Sequence, residues 1–429
     1  MAMDTAEKDR LEAQLEAQRL ECRRLEEALA QANLNAQILR AELETLKGEN
    51  GRLKKRKFPD FNGTENTRNP FKYLRRATLG SGAAFQCRTV AFDPHYGIFL
   101  VSRSDSEQLG GIVKVSLWDA SGSEFVALHE GSIRAIATSP HGDGLFLTCG
   151  SDDFLKLSTM SSNSVLQSWK LPSSPWSCSF HPGSINHVVV GLSGGQIAVF
   201  DLRQPTTVAP QIISVSQAKK LPVHSLHIID SSSSCGGFTV VGATMDGPFA
   251  VKLDDEENSI TWSSDFGYKN FTCNSLSLDP IGRKTFLASY RSAPPREASR
   301  HVIFELSADE SQLSLKLPFS EFKSASDGPN KIPFRSSLIA AASPSQIECF
   351  VPDEINFTGQ CYQLNPTVTN YTISSQLAPL EILSTNVGIP IIETCVGRVK
   401  RTSLEDEGED SHSLVIGLLT AKHLYIFTT

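Results

Sequence analysis

The chain has 429 residues, 40% of them apolar and 20% charged, enough to bury a sizeable core in one large domain or several smaller ones. Its net charge of -7 supplies no global basic field, so bulk electrostatics does not predict direct nucleic-acid binding. Nine Cys with no Cys-x-x-Cys pair and no apolar run of membrane-spanning length point away from a zinc framework, a disulfide scaffold and a helical membrane span, and towards a reducing nuclear or cytosolic setting.

Residues 4–57 contain no Pro and are dominated by helix-favouring types. One heptad register runs through them: Leu11, Leu15, Gln18, Cys22, Leu25, Leu29, Ala32, Ala36, Leu39, Leu43, Leu46, Asn50 and Leu53 form the seam. A narrow Leu seam with charges outside it predicts a coiled coil, and Asn50 at an a position suits a parallel two-stranded one. The thin packing at Ala32 and Ala36 leaves open whether the second strand is another copy or a different partner. A solitary helix packed on the rest of the chain is the blander alternative.

Lys54, Lys55, Arg56 and Lys57 follow at the helix end, either as a nuclear-import signal or simply as cations that offset the helix dipole. Residues 58–70, with two Pro and a cluster of Asn, Gly and Thr, read as a linker.

From 71 to 429 the chain reads as an all-β, seven-bladed WD40-type propeller. A segment of about forty-five residues recurs between Cys87 and Arg203, each copy carrying short alternating runs and tight polar turns. The first copy closes on Trp118-Asp119, and the third on Phe200-Asp201. Pro94, Pro140, Pro182, Pro280 and Pro344 mark the ends of first strands; unmarked blades fit near Leu226 and around Ile391 to Arg398. The last blade lacks an outer strand, and residues 73–79 are its predicted donor, closing the ring and hiding two strand edges. The loops at 292–300 and 398–411 read as solvated.

Gly191-Leu-Ser193-Gly-Gly195 matches the nucleophile-elbow spacing, but that motif requires a strand-to-helix turn, and here a Ser-Gly-Gly hairpin between strands is expected. With no metal spacing among the His and no phosphate loop, the chain offers no catalytic residues, no metal ligands and no cofactor. A binding surface is the better expectation. Aligning blades on their Pro anchors places Arg88, Arg134, Trp176, His224 and Asn274 at one position near the start of the first strand, where a propeller's channel opens on one face. Arg and Trp dominate interface energies when desolvated, so this ring is the candidate partner-binding site. The alternative role is capping strand ends.

The runs IRAIA, LFLTCGSDDFLKLSTM, PWSCSF and GLSGGQIAVFDLR resemble the propeller of the RING finger and WD repeat E3 ubiquitin ligases of DNA interstrand crosslink repair. The order of coiled coil, linker and propeller is similar too. The resemblance implies a nuclear protein, recruitment through the propeller to replication protein A on single-stranded DNA, and ubiquitin transfer to proteins there. A RING needs Cys and His zinc ligands ahead of the coiled coil, and only Cys22 lies in the first 86 residues. Zinc and the ubiquitin-transfer step are therefore expected only with a RING upstream, in a longer product or in a full-length partner. A non-enzymatic WD40 scaffold in another nuclear or cytosolic complex is the alternative.

Overall fold

The computed structural model describes residues 71–80, 85–105, 109–119, 123–215, 220–230, 237–253, 259–262, 270–279, 285–292, 298–309, 312–323, 335–340, 347–353, 358–366, 371–376, 380–381, 391–400 and 412–428. The heptad seam, Lys54 to Lys57 and the 58–70 linker lie outside the described residues, as does most of the 398–411 loop.

Every described regular element is a strand. Strand β1 (Lys72–Thr78) comes first. One sheet holds β2 (Gln86–Asp93), β3 (Ile98–Ser104), β4 (Gly110–Ser116) and β5 (Ser123–His129); the next holds β6 (Ile133–Thr138), β7 (Leu145–Gly150), β8 (Phe154–Thr159) and β9 (Val165–Lys170). A third is built from β10 (Pro175–Phe180), β11 (His187–Leu192), β12 (Gln196–Asp201) and β13 (Gln211–Ser214), and a fourth from β14 (Ser225–Asp230), β15 (Phe238–Thr244), β16 (Gly247–Leu253) and β17 (Ser259–Trp262). The fifth comprises β18 (Phe271–Leu278), β19 (Thr285–Ser292), β20 (Arg300–Asp309) and β21 (Gln312–Lys323). The sixth contains β22 (Ser337–Ala340), β23 (Ile347–Asp353), β24 (Thr358–Pro366), β25 (Tyr371–Gln376) and the short β26 (Leu380–Glu381). In the last, β27 (Glu393–Lys400), β28 (His412–Leu419) and β29 (His423–Thr428) are joined by β1.

All neighbouring strands pair antiparallel, as short hairpin connections require. The first strands touch one another in the circuit β2, β6, β10, β14, β18, β22, β27 and back to β2. They therefore line the centre, and the sheets radiate from them as the blades of a propeller. Each neighbouring pair of sheets shares its own apolar cluster. Leu147, Leu155 and Trp169 face Phe180, Val188 and Phe200 in one; Phe99, Val101 and Val113 face Val415, Leu424 and Ile426 in another. Two glycines make that last contact possible. A Cβ on Gly397 would stand 2.1 Å from the Phe92 ring, and one on Gly417 would stand 2.6 Å from that of Phe99.

Two expectations need correcting. Six sheets are four-stranded blades, and the sheet of β22 to β26 is not: it has five strands. The nine-residue β24 is long enough that β25 covers one end and leaves Thr358 and Gly359 to pair with Glu381 and Leu380. The closing strand is Lys72–Thr78, one residue earlier than 73–79, and it pairs with β29 from Lys72↔Thr428 to Thr78↔His423. Phe71 and Tyr73 explain the shift: Phe71 is buried in a cluster with Tyr425 and Phe427, and the Tyr73 ring meets Phe427 edge-on at 5.6 Å.

Candidate interaction site at the propeller mouth

The sequence-aligned ring corresponds to a local backbone feature. The pairing of first and second strands slips between Cys87 and Val90, between Ile133 and Ala135, between Pro175 and Ser177, and between Cys273 and Ser275. The residues skipped are Arg88 with Thr89, Arg134, Trp176 and Asn274. A β-bulge leaves its extra residue outside the ladder and re-aims its side chain, so Arg88, Arg134, Trp176 and Asn274 are turned away from the cross-strand pattern that buries their neighbours, Thr89 among them. Ile133 and Ala135 are buried on either side of half-buried Arg134.

The freed N–H groups at the first bulge all find acceptors. Ser102 Oγ accepts from Arg88 N at 3.1 Å and from Thr89 N at 2.8 Å, and Glu393 Oε2 accepts from Val90 N at 2.8 Å. The bulge is thus fixed, as buried backbone donors demand.

Three ring members come together. The Arg134 guanidinium lies 4.8 Å from the centre of the Trp176 ring, a cation–π arrangement between adjacent blades. Burial lowers the pKa of Arg134, the neighbouring charge of Arg88 lowers it further, and Asp153 opposes both. Asp153 sits in the β7–β8 turn with φ 64, a left-handed conformation that Asp tolerates better than most residues. Its Oδ1 accepts from Ser174 Oγ at 2.5 Å, and Lys170 Nζ is 3.7 Å from its other oxygen.

The remaining two do not join this cluster. His224 precedes β14, where Ser225↔Ala243 starts the ladder without a slip. It is buried, and its Nδ1 shares a hydrogen bond with Ser225 Oγ at 2.9 Å. Burial, and then the charge of Arg335, push its pKa down to about 4, so it is a neutral packing residue and not a presented one. Asn274 occupies its bulge on the blade beyond His224, half-buried.

Arg335 and Glu393 complete this end of the channel and were not singled out in the sequence. Arg335 Nη1 donates to Glu393 Oε1 at 2.8 Å, and its Nη2 lies 3.4 Å from the His224 carbonyl oxygen. One carboxylate therefore serves β2 and the residue ahead of β22. The only signal for the pair was an isolated cation and an isolated acid near predicted strand starts.

A second constellation imitates a catalytic triad. His129 Nδ1 bonds both carboxylate oxygens of Asp152 at 3.0 Å, and its Nε2 bonds Thr148 Oγ1 at 2.9 Å. Thr148 is 0% exposed and His129 2%, so no substrate could reach the hydroxyl. The group ties the end of β5 to the β7–β8 hairpin. Ser193 lies in the β11–β12 hairpin turn, its N–H donating to Ser174 O at 2.8 Å, which is the setting of a turn and not of a nucleophile elbow. A groove of about 430 Å³ beside Trp169, Phe200, Pro205 and Val208 contains the titratable pair His187 and Asp201, each already engaged, by Ser184 and Arg203.

Among the described residues no group of His, Cys, Asp and Glu could hold a metal ion. Cys87, Cys149, Cys178, Cys273 and Cys349 form no disulfides and are buried on separate strands.

Residues 79–331 match the family described as the E3 ubiquitin-protein ligase RFWD3 WD40 domain. The chain belongs to this family. Arg88, Arg134, Trp176, His224 and Asn274 all fall within the matched span. The chain is similar to E3 ubiquitin-protein ligase RFWD3 of Ailuropoda melanoleuca, 24% identical over 338 residues, and to that of Mus musculus, 25% identical over 337. The Homo sapiens protein is 22% identical over 329 residues. In each case the match covers 71% of this chain and 42% of the relative, so the chain spans less than half the length of these relatives. Its fold is similar to the β-propeller domain of Myceliophteria_thermophila Cps50 (Swd1), with a TM-score of 0.54 at 13% identity over 84% of this chain and all of the other. The chain thus carries an RFWD3-like WD40 domain.

Proposed function

We propose that the chain recruits a protein to a ubiquitin ligase assembly, gripping it at the propeller mouth with Arg88, Arg134 and Trp176. The observation that carries this reading is the bulge-presented Arg134–Trp176 stack with Arg88 beside it, in a member of the RFWD3 WD40 family. Bulges fix these side chains at no cost to the blade's apolar faces, and Arg and Trp are the types whose truncation costs most at interfaces.

By resemblance, the partner is replication protein A on single-stranded DNA, and the setting is nuclear DNA repair, with Lys54 to Lys57 as the import signal. The heptad seam from Leu11 to Leu53 makes the chain a dimer, and two mouths on one assembly raise avidity without any new contact. Ubiquitin transfer then belongs to a RING carried elsewhere in the assembly. No step of it is assigned to residues of this propeller.

The test is a pull-down of purified chain against replication protein A, alongside folded Arg134→Ala and Trp176→Ala variants. Binding by the parent and its loss in both variants is the expected result. Binding that survives both changes moves the site away from the mouth, and a folded parent that fails to bind refutes the choice of partner.

A further inference from the structure

We propose that the Arg88–Arg134–Trp176 cluster receives a phosphorylated side chain, so that the recruited partner is a phosphopeptide. This rests on the recruitment reading above and specifies its ligand.

The charge of Arg88 acts on Arg134, and among the described residues neither cation is paired with an anion. Among the described residues, neither the Arg88 nor the Arg134 guanidinium donates a hydrogen bond or forms an ion pair. Asp153, the carboxylate whose charge acts on Arg134, is already committed to Ser174 and to Lys170. Burial, and then the charge of Arg88, weaken the hold of Arg134 on its proton, and Asp153 opposes both. Elsewhere in this propeller a partly buried arginine is balanced directly: Arg335 has Glu393 at 2.8 Å. The contrast points to a ligand that supplies the missing charge.

A dianion with several acceptor oxygens satisfies two planar guanidinium groups better than a single carboxylate does, since each fork can take its own pair of oxygens. The Trp176 ring holds Arg134 in place, so little rotamer freedom is lost on binding. Two arguments favour a peptide over a nucleic-acid backbone. Arg134 lies over the Trp176 ring, where a base would stack, and the chain's net charge of -7 offers no basic field for a longer polyanion to follow.

The probe is an immobilised degenerate peptide library with a fixed central phosphoserine, beside identical libraries with serine or glutamate, exposed to the full chain. We expect the phosphoserine library to retain at least about tenfold more chain than either control. Arg88→Ala and Arg134→Ala should each reduce that retention by about tenfold, whereas Arg203→Ala, which removes an equal charge from an exposed pair with Asp201, should leave it unchanged. Thermal melts confirm that each variant is folded. Equal retention by all three libraries overturns the proposal, as does retention that survives both mouth variants. Competition by an oligothymidine as effective as by free phosphopeptide also overturns it and assigns the cations to nucleic acid. Capture of phosphatase-treated replication protein A, with no preference among the libraries, overturns the phosphate ligand and leaves recruitment standing. Phosphoserine preference without any capture of that partner upholds the phosphate ligand and refutes only the partner's identity.

Discussion

Replacing Thr148 by Val tests whether the Asp152–His129–Thr148 group is a clamp. Valine is close in shape to threonine but lacks the hydroxyl, so the His129 Nε2, buried with Thr148 beside it at 2.9 Å, is left without a partner. An unsatisfied buried group of this kind costs about 1–3 kcal/mol. With a urea slope of about 3 kcal/mol per M, the unfolding midpoint should fall by about 0.3–1 M. Asp152→Ala should cost more, because the carboxylate also accepts the Glu130 and Phe154 N–H groups at 3.2 and 3.3 Å. Asp152→Asn keeps an acceptor and should lie between the parent and Asp152→Ala. Both bonds pass through one imidazole, so the Thr148→Val and Asp152→Ala costs should combine to less than their sum. Burial alone would raise the Asp152 carboxyl, but the hydrogen bond and charge of His129 and the two backbone donors outweigh it and hold it below the usual range. A depressed carboxyl contributes stability that is complete above its unfolded value of about 3.9 and is lost as pH falls through the folded value. Asp152→Asn should therefore lack the acid-labile part of the parent's stability. An unchanged midpoint in Thr148→Val, or strict additivity of the pair, refutes the clamp.

Two further outcomes are expected. A chain starting at Leu79 should lose cooperative melting and self-associate relative to one starting at Arg68, because it loses β1, exposes the edge of β29 and gives up the burial of Phe71, worth about 1.5–3 kcal/mol. A monodisperse product with an unchanged melting temperature by light scattering and calorimetry would show that closure does not depend on β1. Stability should also fall as pH drops from about 6.5 towards 4, since burial pushes the pKa of His224 down to about 4 and that of His301 to about 3. In that window the unfolded chain takes up protons that the folded one refuses, giving up to about 1.4 kcal/mol per pH unit for each group. A urea midpoint that stays flat between pH 7 and pH 5 would contradict this.

The repeat was legible because the first three copies are written from the same pieces: an apolar alternation ending in a Pro, a second run, a small polar stretch and a third run. Their bulge positions, and that of the fifth blade, were legible too, though not as bulges; counting back from Pro94, Pro140, Pro182 and Pro280 reached Arg88, Arg134, Trp176 and Asn274 because each anchor fixes the residue count of its first strand. His224 differs from these four for the complementary reason. Its blade has no Pro anchor and no slip in pairing, so the side chain turns inward against Ser225. The five-stranded sheet could not be read, since a pairing of Gly359 with Leu380 depends on how far β25 covers β24.

Arg335 and Glu393 were illegible for a deeper reason, and they explain how closure supports the mouth. They stand 58 residues apart, and Glu393 meets Val90 across 303. Local pattern cannot reveal a contact that exists only once the ring has closed. Its consequence is local all the same. The bulge at Arg88 and Thr89 breaks the ladder with β3 and frees three consecutive N–H groups; Ser102 takes two, but the third depends on a carboxylate from the last blade. That blade is complete only when β1 has paired with β29. Since an unpaired buried N–H is costly, the bulge that presents Arg88 has its backbone fully satisfied only in the closed propeller. The geometry of the mouth is therefore a property of the whole ring and not of the blade that carries the residue.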